Sequence, residues 1–196
     1  MWAAAQRSLS QALAAQGDWE GTAEAAENVL EVLPEDASAL KQAEMIYQDI
    51  LFRFSSAFDL NQRRVRRDNS PGTRLEFVQT HLTTARFSEC VARSADFRDE
   101  ELQAGALPVR DVLRLACQFG AGQKSGARQT AGAILQESAN LHVPAWRASG
   151  VKHFLSLHPA FAAARDLWVQ LFEKLEKGDG PGLAGVVRQL GEILKD

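Results

Sequence analysis

LAAQGDWEGTAEAAENVLEVLPEDASALKQAEMIY, residues Leu13 to Tyr47, decides the fold class. Gly17 tolerates positive φ and stops one helix, while Asp18 can accept from the free N–H groups that open the next. Ala23, Ala26, Val29, Leu30 and Leu33 then recur at three- and four-residue intervals on one face. Pro34 ends that helix because it lacks the donor a helix needs. Asp36 caps a third segment, whose stripe runs through Leu40, Ala43, Ile46 or Tyr47, Ile50, Phe54 and Phe58 towards Val65. The punctuation is helix, tight turn, helix, stop, helix. Over 36–68 one long helix and two shorter ones fit the pattern equally.

Outward from this stretch the same spacing continues. Met1 to Ala15 is helical, with Leu9 and Leu13 as its apolar stripe. Asn69-Ser70-Pro71-Gly72 breaks the chain, and Thr73–Thr84 and Arg86–Asp96 read as two short helices. Asp96 to Gly105 is an acidic linker. Pro108 starts a helix that buries Val109, Val112, Leu113, Ala116 and Phe119, and Gly120, Gly122 and Gly126 mark a turn. Ala127 to Leu141 is helical up to the reset at Pro144, and Val151 to Leu157 up to Pro159. A last hairpin folds Phe161–Leu175 on Leu183–Leu194 around Gly178-Asp179-Gly180. No segment alternates with a period of two.

Gly17-Asp18-Trp19, followed by the Ala-rich helix ending Val29-Leu30-Glu31-Val32-Leu33-Pro34-Glu35-Asp36, resembles the second half of a tetratricopeptide repeat. The likeness covers residues 6–47, with Leu40, Ala43 and Tyr47 at first-helix packing positions of a following repeat. A weaker echo lies at 165–195, in Trp168, Leu171, Leu175, Gly178-Asp179 and Ala184. Gln6, Ser10 and Thr22 depart from the family's usual aromatic, glycine and alanine. The resemblance implies a concave face that holds an extended peptide or a partner helix. Together with the periodicity it predicts an all-α chain of about ten helices as stacked antiparallel hairpins, tetratricopeptide-like or an irregular α-solenoid. Residues 1–196 are expected as one domain, with a sub-boundary near 68–72.

The 45% hydrophobic and 24% charged content places the chain among globular proteins and not disordered ones. A net charge of −3 argues against nucleic-acid binding over the whole surface and leaves a local patch open. Cys90 and Cys117 form no metal or redox motif and are expected as buried free thiols in a reducing compartment. No stretch is long and apolar enough to span a bilayer and none reads as a secretory signal, so a cytoplasmic protein is expected.

Chemistry-bearing motifs are few. Gly120-Ala121-Gly122-Gln123-Lys124-Ser125-Gly126 fails the phosphate-loop register, because Gln123 and Gln118 stand where glycines are required. His81, His142, His153 and His158 lack metal-ligand spacing. No catalytic, cofactor or metal site is expected. The sharpest local feature is Arg63-Arg64-Val65-Arg66-Arg67. It suits acidic side chains or terminal carboxylates of a protein partner, or nucleic-acid phosphates without base stacking, or a solvated helix end. Asp96, Asp99, Glu100 and Glu101 could neutralise it within one molecule or between two. Trp19 and Trp168 sit at core spacing, whereas Trp2 and Trp146 are candidate interface anchors. The function expected is a non-catalytic scaffold or adaptor for a protein or peptide. A helical accessory subunit of a larger enzyme and a nucleic-acid-associated regulator are the alternatives, and homo-oligomers fit any of them.

Overall fold

The computed structural model describes residues 2–102, 107–137 and 147–195. Among them are eleven α-helices, two short 3₁₀ segments and no strand. Two compact units form, Met1–Thr80 and His81–Asp196.

The first unit holds α1 (Trp2–Ala15), α2 (Trp19–Val32), α3 (Ala37–Asp49), α4 (Phe54–Arg67) and most of α5 (Pro71–Thr83). Helix α1 packs on α2, α2 on α3 and α3 on α4. The caps are the expected ones: Asp18 accepts from the Gly21 N–H at 2.9 Å, and Asp36 from the Ala39 N–H at 2.9 Å. Ala23, Ala26, Val29, Leu40, Ala43 and Ile46 are fully buried in one core, with Trp19 packed against its edge. Small residues on α2 let the neighbouring helices close in, and Leu40 and Ile46 fill the space.

Between α3 and α4 the chain breaks at Ile50–Arg53, so 36–68 is two helices. Phe52 reverses the chain with φ 55°, and the Arg53 N–H closes back onto the Tyr47 carbonyl at 2.8 Å. The left-handed region normally belongs to glycine, which is why the break carries no sequence mark. The unit's end also lies past Asn69-Ser70-Pro71-Gly72, inside α5. Asp68 ties down the start of α5, accepting from the Thr73 hydroxyl at 2.6 Å and the Ser70 N–H at 3.0 Å. The Phe58 and Phe77 rings meet at a tilt, 5.4 Å apart.

The second unit holds α6 (Phe87–Ala95), α7 (Leu107–Gly120), α8 (Lys124–Glu137), α9 (Ser149–Leu157), α10 (Arg165–Glu176) and α11 (Gly180–Ile193). Helix α7 packs on α6 and α8, and α10 on α9 and α11. Trp168, Phe161 and Phe172 are fully buried, and Phe119 stacks on Phe161 at 5.8 Å while lying 4.9 Å from Trp168. The turn between α7 and α8 is only residues 121–123, with Gly122 at φ 71°, while Gly120 ends α7 and Gly126 lies inside the first turn of α8. Cys90 and Cys117 are not free thiols: they form a disulfide between α6 and α7, with Cα atoms 5.8 Å apart and both residues fully buried. Helix packing joins positions that lie 27 residues apart in sequence.

One turn recurs along the chain. A left-handed residue, a cap residue and a helix start follow one another at Gly17, Phe52, Ala85, Gly122 and Gly178, with φ between 55° and 76°. The first four stand 35, 33 and 37 residues apart. Over these four turns the backbone torsion recurs where the residue type does not, and Gly178 follows at a longer interval.

Candidate functional site

The basic run ends α4 and divides between structure and surface. Arg64 is buried, with its guanidinium held between the Glu44 carboxylate at 2.5 Å and the Glu76 carboxylate at 2.7 Å. Asn61, one turn earlier and fully buried, lies beside Glu44 and favours its ionised form without reaching good hydrogen-bond geometry. Arg63 and Arg67, one turn apart, both reach the link after α2: Arg63 donates to the Pro34 carbonyl at 2.5 Å and Arg67 to the Glu35 carbonyl at 2.7 Å. Arg66 is exposed and donates to Gln62 at 3.3 Å.

Burial pushes Glu44 up to about 7, with the Arg64 charge opposing that rise and Glu76 adding to it. The folded state therefore holds this proton more tightly than the unfolded chain, whose glutamate titrates near 4.5. The stabilisation is complete below that value and is lost as pH rises to 7. With a slope of at most about 1.4 kcal/mol per pH unit, the first unit loses roughly 2 kcal/mol of stability between pH 5 and pH 7.5. Urea titrations of wild type and Glu44→Gln across that range check this. Parallel pH profiles for the two proteins would contradict the assignment.

Two adjoining clefts open above this buried network. One, of about 350 Å³, runs between α3, the end of α4 and the start of α5, with Lys41, Arg64, Arg67, Asp68, Thr73 and Glu76 among its walls. The other, of about 410 Å³, is walled by Val32, Leu33, Pro34, Glu35, Asp36, Ala37 and Arg67. They share Ala37 and Arg67. Val32 is 58% exposed, and Leu33, expected on the buried stripe of α2, is 42% exposed. The apolar pair is the part of the site that sequence reading missed. Its only signal is two consecutive apolar residues before a proline, which one buried helix face cannot both occupy.

The Thr73 hydroxyl and the Ser70 N–H hold the Asp68 carboxyl below its usual range. That carboxylate spends its oxygens on the start of α5, leaving Lys41 and Arg67 as the outward-facing cations of the cleft. Lys41 is exposed, and Arg67 commits only its Nη1 among the described residues. The acidic stretch has partners of its own in the second unit: Asp99 pairs with Arg110 at 2.5 Å, Glu101 with Arg98 at 2.9 Å and Asp96 with Arg93 at 3.7 Å.

Trp2 is 45% exposed on α1, and Trp146 lies outside the described residues, as does His142. Trp168 is core. His158 caps the 3₁₀ segment Pro159–Ala164 by accepting from the Ala160 N–H at 3.2 Å, and burial lowers its proton affinity. Among the described residues no group of His, Cys, Asp and Glu could hold a metal ion, and no helix is long and apolar enough to cross a membrane. Compared with known proteins, the chain matches no family model, no curated protein and no solved structure.

Proposed function

We propose that the chain is a non-catalytic adaptor whose first unit takes up an extended peptide across the two adjoining clefts. The observation that carries this is the placement of exposed Val32 and Leu33 beside Arg67 and Lys41. An apolar side chain of the peptide desolvates the first pair, and a carboxylate, on a side chain or at a C-terminus, meets the cations. The first four left-handed turns, at 33- to 37-residue intervals, support the tetratricopeptide-like reading of the scaffold. Burial of Arg64 weakens the nucleic-acid alternative, because it removes one of the four arginines from reach of a phosphate. The Cys90–Cys117 disulfide supports an oxidising compartment over the cytoplasm expected from the lack of a readable secretory signal.

Fluorescein-labelled peptides carrying a leucine near a free C-terminal carboxylate provide the test, read by anisotropy. Arg67→Glu and Val32→Asp should each weaken binding by about tenfold or more, which is about 1.4 kcal/mol. Amidating the peptide's terminus should weaken it comparably. Equal affinity for wild type and Arg67→Glu, or no binding by any peptide of this class, would reject the reading.

A further inference from the structure

Helix α1 is the least covered helix of the first unit. Of its 14 residues only Ser10 is fully buried, where its hydroxyl donates to the Thr22 carbonyl at 3.3 Å. Trp2 and Leu9 are 45% and 47% exposed, and Ala5 and Ala12 are exposed too. At 100° per residue, positions 2, 5, 9 and 12 fall on one stripe with the three-four spacing of a helix–helix seam. Solvent-facing helix surfaces are ordinarily charged, yet the one charged residue of α1 is Arg7. It points away from the stripe, paired with Asp36 at 2.5 Å.

We propose that this stripe is a two-fold interface between two copies of the chain, with the two α1 helices antiparallel. The spacing is symmetric about position 7. In that arrangement Trp2 of each copy meets Ala12 of the other, and Leu9 meets Ala5, so every contact sets a large side chain on a small one. A parallel pair would instead stack Trp2 on Trp2 and Ala12 on Ala12, crowding one layer and leaving a void in another. Charge does not oppose the antiparallel pair: Arg7 is turned outward and neutralised, and each positive helix start lies beside the other's negative end. One 14-residue helix per copy is small beside the roughly 800 Å² per partner of stable complexes. The dimer is therefore reversible and concentration-dependent.

Sedimentation velocity from low to high micromolar protein, with circular dichroism to confirm that each variant keeps its helices, tests the arrangement. Wild type should pass from monomer to dimer. Leu9→Ala opens a void and Ala5→Leu overfills the facing position, so each alone should weaken the dimer by roughly tenfold or more. The double variant Ala5→Leu/Leu9→Ala exchanges large for small across the same contact and should restore wild-type association to within about threefold. A chain that stays monomeric throughout, a Leu9→Lys variant that associates as well as wild type, or a double variant no better than its singles would each overturn the proposal. Peptide binding by monomeric Leu9→Lys should be unaffected, which separates this interface from the clefts.

Discussion

Replacing Arg64 with alanine should destabilise the Met1–Thr80 unit by about 3–5 kcal/mol at pH 9, where Glu44 is ionised beside Arg64 and would be left as buried charge without its partner. The Glu44 side chain is only 8% exposed, and Glu76, about a third exposed, relaxes only in part. Without the guanidinium Glu44 takes up a proton at neutral pH, so the loss should grow as pH is raised towards 9. Urea denaturation of the full chain, followed through the first unit, measures this. The pair itself is less valuable than its rupture is harmful, because both ions are desolvated to form it. Glu44→Met/Arg64→Met should consequently recover most of the stability lost in Arg64→Ala. A loss below about 1 kcal/mol in the single variant would place Arg64 in water and return it to the surface patch.

The second large effect belongs to the disulfide. Breaking it, by reductant or by Cys90→Ser/Cys117→Ser, should cost the His81–Asp196 unit about 3.5 kcal/mol on the chain-entropy estimate for a loop of this length. Both residues are fully buried in the α6–α7 contact, so reduction also requires an opening of that contact before the reagent can enter. Both cysteines of the chain lie in the second unit, so reductant should lower the unfolding transition of that unit. Alkylation without reductant provides the control. Two thiols modified in the unreduced, denatured protein would show that the bond is absent.

The parts of the fold legible in the sequence are those fixed by neighbours along the chain. Asp18 and Asp36 cap the helices that follow them, and Gly17, Pro34 and Gly178 mark turns, because capping and left-handed backbone are local chemistry. The inward face of α1 was not legible. Periodicity favours Leu9, but Ser10 goes inside because its small side chain lets α2 approach and finds the Thr22 carbonyl as an acceptor. The candidate site divides in the same way. Four arginines in five positions announce charge, but whether each is buried or free depends on Glu44, Glu76 and the Pro34 and Glu35 carbonyls, which only folding brings near. The disulfide is tertiary information in the same sense.

Phe52 and Ala85 hold a turn that glycine holds elsewhere in the chain. A side chain in that conformation costs about 1–2 kcal/mol, a sum that a domain several kcal/mol above its folding threshold survives. The turn is thus specified by a backbone angle that glycine makes easy but does not monopolise, so a count of glycines along a sequence understates how many such turns it holds.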